Sequence, residues 1–399
     1  MAHINVPGLK FADMGKFASQ PKTRNDIINQ YPANDINGVF KINENAKALH
    51  PDYQKMVVSE IIDHQDAKSF ILKKADGSAA AFFRAGQYLS VLLNINGSIV
   101  TRPYSISSSP MWAKEGKYAI TVKQNPNGFA APWILENWKV GDEVTVSAPE
   151  GTFYYEKFRD SENVIALAGG SGITPFLSMA YAVRDGLEDF NLTIIFGSRN
   201  KSSILFADEL EKIAAECSKV KVVHVLSESK AKGYEQGFIT AELIQKYAPE
   251  DYSIFMCGPE GMYKFVGAEV EKLGIDKKHY RRELLGVTKN VSDRADYPKE
   301  AIGKTYRLTV QIGADEYKTF VDAGETILAA IEKAGIAAPS RCRSGECGWC
   351  RSKLISGNVY MPQENEGRRW SDKEHNYIHP CATFALSDIV IDVPGCYMK

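Results

Sequence analysis

SRCRSGECGWCRSKLISG, residues 340–357, decides how the rest of the chain is read. Cys342, Cys347 and Cys350 form a C-x4-C-x2-C array, and Cys381 follows within HPCATFALSDI. Thiolates at that spacing hold the two irons of a [2Fe–2S] cluster. A loop that wraps a cluster must turn backbone N–H groups toward sulfur, and Gly345 and Gly348 give it that freedom. The competing reading is structural zinc. Zinc usually takes two similar C-x2-C knuckles, whereas the second half here is a lone Cys381. The loop is therefore expected to be a one-electron carrier, and such a carrier needs a source of electrons.

Around the loop, YRLTVQI and YKTFVDA are strand-like, ETILAAIEKAG is helix-like, and SDIVIDVP (387–394) is a further strand. Arg341, Arg343 and Arg351 crowd the cysteines. They read either as a solvated basic face or as a surface that favours the reduced cluster and docks an acidic partner. Residues 306–399 hold 11 Lys/Arg against 12 Asp/Glu, near neutrality, unlike the acidic surface that steers a freely diffusing carrier. The segment YMPQENEGRRWSDKEHNYIHP (360–380) is longer and more polar than this layout needs. Upstream, VTKNVSDRADYPKEAIGK (287–304) is polar and proline-bearing, as a linker is.

At 399 residues the chain exceeds one ordinary core. Its composition, 44% apolar and 24% charged, is that of a globular protein, and a net charge of −1 gives no argument for nucleic acid or an anionic membrane. No apolar run is long enough to span a bilayer, and the N-terminus lacks an apolar signal core. With four cysteines assigned to the cluster, Cys217, Cys257 and Cys396 are expected as free thiols in a reducing, cytoplasmic setting.

Residues 1–53 are read as a polar, irregular extension punctuated by Pro7, Pro21, Pro32 and Pro51, with at most one short helix at NDIINQY (25–31). From 54 to 160 the signals are all β. MVVSEIIDH, SFILKK, QYLSVLLNI, YAITVKQ and DEVTVSAP, separated by turn residues, predict a small antiparallel β-barrel. Within it, TRPYSISS (101–108) sets an arginine beside a tyrosine and several hydroxyls. That suits a phosphorylated aromatic cofactor, and taken alone it also suits an ordinary strand end. From 161 to 286 the period changes. VIALAG, LTIIFG, VKVVHVL and YSIFMCG are continuous apolar runs alternating with helical stretches, the pattern of a doubly wound α/β parallel sheet. The first run enters Gly169-Gly170-Ser171-Gly172-Ile173-Thr174-Pro175, a glycine turn through which backbone can approach a pyrophosphate.

RPYS, GGSGITP and Cys257-Gly258-Pro259, in this order, resemble the signatures of the ferredoxin–NADP reductase superfamily. The cysteine array resembles plant-type ferredoxins, whose β-grasp (α+β) layout is then expected over 305–399. The resemblance covers about 54 to 399, and its domain order is that of phthalate-dioxygenase-reductase-like and phenylacetate-hydroxylase-reductase-like proteins. By resemblance, Arg102 holds a flavin phosphate, Pro103 and Tyr104 lie against the flavin, and Ser105 reaches toward its N5. Val122, Lys123, Gly128, Ala130 and Ala131 fall on a second flavin motif, with Ala131 where the family has serine. That loss weakens, without excluding, FAD over FMN. Gly169, Gly170, Ser171, Gly172, Thr174, Ser198, Arg199, Cys257, Gly258 and Pro259 are implied for NAD(P). Thr174 is also implied for the flavin, and Cys257 lies near the reacting nicotinamide carbon. Glu283, in RRELLG, matches the family's closing E-x-F-G, with Leu285 replacing the phenylalanine. Arg199 and Lys201 are candidates for a 2′-phosphate, and no acidic residue is evident at that strand end, which leaves NADH and NADPH open.

The implied reaction passes electrons from NAD(P)H to flavin, to [2Fe–2S], and to a separate acceptor protein such as an oxygenase. Ser105, Thr174, Cys257 and Glu283 place the reacting pair. The alternatives are a self-contained diaphorase or quinone reductase, or a redox-sensing module.

Overall fold

The computed structural model describes residues 11–30, 40–126, 128–286 and 290–395. Cys396 and residues 287–289 of the expected linker lie outside that set. The chain divides into two compact units, the first ending at Ala48 and the second running from Leu49 onward. In the first unit, α1 (Phe11–Gln30) is a 20-residue helix where an irregular stretch was expected, and α2 (Lys41–Leu49) follows. Pro21 lies inside α1 and does not break it.

In the second unit, β1 (Tyr53–Asp63), β2 (Ala67–Lys74), β3 (Tyr88–Ile95), β4 (Ser98–Ser105), β5 (Lys117–Lys123) and β6 (Glu143–Ser147) form an antiparallel sheet in the order β4-β3-β6-β1-β2-β5. A bridge between Ile106 and Ile120 brings its two ends together. Alternation sends Met56, Phe70, Leu89, Val91, Ile120 and Val146 into one core, the product of period-two patterning. The short helix α3 (Ala130–Asn137) lays Ala130 and Ile134 on that core.

The nucleotide-binding layer is a parallel sheet. It contains β7 (Asn163–Gly169), β8 (Asn191–Ser198), β9 (Val220–Leu226), β10 (Glu235–Gln236), β11 (Ser253–Cys257) and β12 (Tyr280–Arg282), flanked by α4 (Thr174–Arg184), α5 (Ala207–Glu216), α6 (Ala241–Tyr247) and α7 (Glu260–Lys272). The order β10-β9-β8-β7-β11-β12 means that the chain builds outward from β7 and returns to its other side at β11. The carboxyl ends of β7 and β11 thus flank a topological switch point, where open α/β sheets bind ligands. Both faces of the sheet are covered by separate apolar clusters, which explains the unbroken hydrophobic runs.

The last layer begins with β13 (Thr305–Ile312), β14 (Asp315–Asp322) and α8 (Ile327–Lys333), and continues through β15 (Ser352–Ser356), β16 (Val359–Tyr360), α9 (Trp370–Glu374), β17 (Tyr377–Ile378), β18 (Phe384–Ala385) and β19 (Ile389–Asp392). Its five-stranded sheet, β14-β13-β19-β15-β17, pairs β13 parallel to β19 and antiparallel to β14, the expected β-grasp. The stretch read as a linker is packed rather than solvated. Val291, Tyr297 and Ala301 bury themselves with Ala323 and Phe384, so its polar residues surround a small apolar anchor.

A buried ion pair ties the barrel's exit to the nucleotide-binding sheet. Arg281 Nη2 lies 2.7 Å from Asp160 Oδ2, Nε donates to Oδ1 at 3.0 Å, and Nη1 donates to the carbonyls of Thr152 (3.0 Å) and Tyr154 (2.6 Å). Removing one partner leaves a buried charge uncompensated. Asp160→Asn should therefore cost about 3–5 kcal/mol, read as a lower urea midpoint for the transition that separates these two layers.

Candidate functional site

The flavin-signature strand is β4, and its register sets Ser105 opposite Tyr88 and Tyr104 opposite Leu89. Ser105 is buried, and Arg102, Pro103 and Tyr104 are half-buried. Arg102 Nη1 donates to the Thr101 carbonyl at 2.7 Å. Burial, followed by the neighbouring Arg343 guanidinium, lowers the Arg102 pKa to about 10. Burial raises the Tyr104 hydroxyl. On β5 the Val122 side chain lies in the barrel core, which leaves its backbone for any ligand, whereas Lys123 is half-exposed. Lys123 Nζ pairs with Asp66 at 2.9 Å and lies beside Gly170 of the glycine turn. The second flavin motif continues with Gly128, whose N–H donates to Asn125 O at 2.8 Å, and with buried Ala130 and half-buried Ala131 opening α3.

The two nucleotide signatures meet at the switch point. A side chain on Gly172 would collide with the Cys257 carbonyl, so glycine there is what allows the tips of β7 and β11 to touch. Gly169 and Gly258 both sit against the Met262 thioether, and Gly170 and Ser171 carry the turn on to Thr174. Thr174, first residue of α4, donates from Oγ1 to Ser171 O at 2.9 Å. Pro259 precedes α7 at its N-cap. Tyr263, which the motif reading passed over, straps the two closing segments together. Its hydroxyl accepts from Gly258 N at 3.2 Å and donates to the Glu283 carbonyl. A tyrosine in the first turn of the helix after CGP was the available signal. Burial raises the Cys257 thiol, helped by Glu283, and burial raises the Glu283 carboxyl well above its ordinary range. Glu283 Oε2 has no hydrogen-bond partner.

At the ends of β8 and β9, Ser198 Oγ is buried without a partner and Arg199 is exposed. The main chains of 198–199 and 227–228 run side by side: Ser227 N donates to Ser198 O at 3.0 Å and Glu228 N to Arg199 O at 2.9 Å. This brings the Glu228 carboxylate within 3.8 Å of the Arg199 guanidinium. An acidic group therefore does stand at this strand end. It stands just past the end of the neighbouring strand β9, remote in sequence from Arg199.

Cys342, Cys350 and Cys381 are buried, and Cys347 is exposed. The sulfurs of Cys350 and Cys381 lie 3.3 Å apart, and Cys342 is within hydrogen-bonding reach of both Cys347 and Cys381. Four cysteine sulfurs gathered in one group suit two irons sharing four thiolates. Cys342 Sγ also accepts from Ser344 N at 3.5 Å and Cys347 N at 3.4 Å, and Cys347 Sγ accepts from Trp349 N at 3.5 Å, the N–H···S contacts that steady a cluster loop. The polar insertion 360–380 braces the loop from behind. Asn365 Nδ2 donates to Ser344 O at 3.0 Å, and His379 Nδ1 bonds to the Gly345 carbonyl.

The arginines do not form a solvated face. Arg343 is 2% exposed and Arg341 1%. Arg343 forks onto Glu332 of α8, and Arg341 lies between the rings of Tyr53 (4.3 Å) and Trp349 (4.6 Å) with Glu150 at 3.3 Å. Only Arg351 reaches solvent, and it is engaged by Asp372 at 2.6 Å. A docking role for Arg343 is excluded by its burial.

Two features join the carriers' sites. Thr101, the residue before Arg102, bonds through Oγ1 to Ser340 Oγ at 2.6 Å and Ser340 O at 3.0 Å, entirely buried. A cavity of about 650 Å³ opens between the layers, lined by Tyr88, Glu283, Cys342, Cys347 and Trp349 among others. Tyr88, which pairs with Ser105 of the flavin-signature strand, the closing segment of the nucleotide-binding sheet and the cluster loop share one space. The donor set fits a phosphorylated flavin beside a binuclear cluster.

A flavin- and iron–sulfur-dependent oxidoreductase is the class that these sites define. Three family models match: an oxidoreductase FAD-binding domain over residues 55–155, an oxidoreductase NAD-binding domain over 166–268, and a 2Fe-2S cluster-binding domain over 312–386. The glycine betaine monooxygenase reductase subunit of Chromohalobacter salexigens is 29% identical over 84% of this chain and 94% of its own. The ferredoxin reductase component of 3-ketosteroid-9-alpha-monooxygenase from Mycolicibacterium smegmatis is 28% identical over 84% and 95%. Phthalate dioxygenase reductase superposes with a TM-score of 0.61 at 25% identity, covering 86% of this chain and 98% of that one. The chain joins an FAD-binding domain, an NAD-binding domain and a C-terminal [2Fe–2S] domain, the architecture of phthalate dioxygenase reductase, and is an NAD(P)H-dependent oxidoreductase that uses FAD. No helix among the described residues is long and apolar enough to cross a membrane.

Replacing Cys381 by Ser should abolish the cluster while the barrel keeps its flavin. Iron and acid-labile sulfide should fall to background, with flavin content and NADH-driven reduction of a small artificial oxidant retained.

Proposed function

We propose that this reductase draws electron pairs from NADH and delivers them singly to a separate oxygenase component. Relatives of the same domain order are reductase subunits of monooxygenases. The observation that carries the reading is the two-sidedness of the cluster loop. Residues 340–345 are buried, with Ser340 against the flavin strand, while Trp349 between two ligand cysteines is 46% exposed. Ser340 ties the loop to the barrel, and Trp349, which also lines the cavity between the layers, is the loop's exposed point for a partner.

Bound flavin supplies acceptance of a hydride and release of single electrons, and the cluster supplies one-electron storage. The chain's own residues bind and orient. Arg102 holds flavin phosphate, Tyr104 offers a ring, and the Ser105 and Thr174 hydroxyls fix polar edges. Gly172 and Cys257, in contact, shape the nicotinamide's seat, and burial raises the Cys257 thiol and the Glu283 carboxyl. Glu283 also presents an oxygen without a hydrogen-bond partner. Val122, Lys123, Gly128, Ala130 and Ala131 complete the flavin side, and Gly169, Gly170, Ser171, Ser198, Arg199, Gly258 and Pro259 the nucleotide side.

Reduced protein should be reoxidised faster by the oxygenase that co-purifies with it than by quinones. Turnover of a quinone at the same rate with no added protein would make it a diaphorase instead.

The nicotinamide preference follows from Glu228. A carboxylate at the strand end accepts the ribose hydroxyls of NADH and repels a 2′-phosphate, and it already occupies Arg199. Glu228→Gln should raise kcat/KM for NADPH about tenfold, a 1.4 kcal/mol change, and lower that for NADH severalfold as the charged acceptor of its ribose hydroxyls is lost.

A further inference from the structure

Arg341, the residue before the ligand Cys342, joins the cluster loop to the entry and the exit of the barrel. Its guanidinium carbon lies 4.3 Å from the centre of the Tyr53 ring, at the start of β1, and 4.6 Å from that of Trp349. Nη2 donates to the Asp52 carbonyl at 3.2 Å, and Nε faces Glu150 Oε1 at 3.3 Å. Glu150 is fixed in turn. Its N–H and its carbonyl both bond to Tyr88 at 2.9 Å, opposite Ser105 of the flavin-signature strand. At 1% exposure the cation is buried. A buried guanidinium gains from the electrons of both rings, and its flat shape stacks where an ammonium does not.

Trp349 stands between the ligands Cys347 and Cys350, with its ring 46% exposed. Its main-chain N–H donates to Cys347 Sγ at 3.5 Å. Reduction places charge on the sulfurs of a cluster, and an N–H aimed at one of them favours the reduced state. That bond lasts only while the main chain of Trp349 stays in place, and the ring above it rests on Arg341.

We propose that Arg341 is the positioning residue of the cluster's outer ligand. By stacking Trp349 onto Tyr53 of the barrel it keeps the N–H···S bond to Cys347 made, and so sets how readily the cluster is reduced. The barrel thereby tunes the neighbouring carrier through Tyr53, an uncharged ring remote in sequence from every ligand cysteine.

The test uses full-length holoprotein carrying Tyr53→Leu, Tyr53→Phe or Arg341→Lys. The first removes a ring and no charge, the second keeps the ring, and the third keeps the charge without the stack. One readout is hydrogen exchange of the 347–351 amides. The other is the reduced fraction of the cluster, from its electron paramagnetic resonance signal, at the potential that half-reduces the parent protein. No acceptor protein takes part, so the outcome does not depend on what Trp349 meets. Flavin, iron and sulfide contents show that each variant is loaded. Tyr53→Leu and Arg341→Lys should speed exchange about tenfold, the weight of one desolvated cation–π contact, and lower the reduced-to-oxidised ratio severalfold. Cys347 is exposed already, so a looser ring loses the N–H bond rather than admitting water. Tyr53→Phe should match the parent protein in both. If Tyr53→Leu fails to load, Arg341→Lys carries the same two expectations. An unchanged exchange rate, or a ratio unchanged or raised, in a loaded Tyr53→Leu or Arg341→Lys protein would overturn the proposal, as would Tyr53→Phe behaving like Tyr53→Leu.

Discussion

The hydrogen bonds between Thr101 and Ser340 join the strand that bears the flavin signature to the loop that bears the cluster ligands. Both residues are buried, so the contact is made without water and holds two layers of separate sequence in register. Electron transfer between carriers demands closeness but no particular chemistry from the protein between them. A short, dry, hydrogen-bonded seam meets that demand. It also restricts what can stand nearby: Arg341, Arg343 and Glu332 are sealed in with it, so each charge needs its own partner.

The same economy governs the nucleotide side. A switch point is a crevice by topology alone, but its width depends on what the two strand tips carry. Gly172 lets the β7 turn touch the Cys257 carbonyl, and Tyr263 ties the next two segments, at Gly258 and Glu283. Main-chain groups thereby shape the crevice between the strand tips. Burial raises both the Cys257 thiol and the Glu283 carboxyl beside it.

What could be read in the sequence was whatever rests on local chemistry. Cysteine spacing is fixed by the geometry of two irons, and a glycine turn by the approach of backbone to phosphate. The change from alternating to continuous apolar runs marks a sheet covered on one face or on two. What could not be read depends on partners brought in by the fold. Arg343 resembles a surface cation until Glu332 of α8 lies against it, and the end of β8 lacks an acid until the turn after β9 supplies Glu228. The insertion at 360–380 has no meaning as a string of polar residues. It acquires one when Asn365 and His379 reach the carbonyls of Ser344 and Gly345. At α1 the local rule itself misled, because Pro21 reads as a break and is accommodated inside a helix.

The near-neutral cluster layer follows from the seam. A carrier that must find its donor by diffusion relies on an excess of charge for steering, and that charge weakens with every increment of salt. Here the donor's strand is covalently linked and hydrogen-bonded to the loop, so the effective concentration of one carrier at the other is set by structure and not by encounter. The ferredoxin surface is then released from one of its two usual tasks. Its charges can be spent internally, as Arg351 with Asp372 and Arg294 with Glu364 are, and its outer edge at Trp349 can be shaped for the acceptor alone. A partner that docks there meets an aromatic ring with a half-neutralised arginine nearby. That surface favours fit over long-range attraction, and its affinity should depend little on ionic strength.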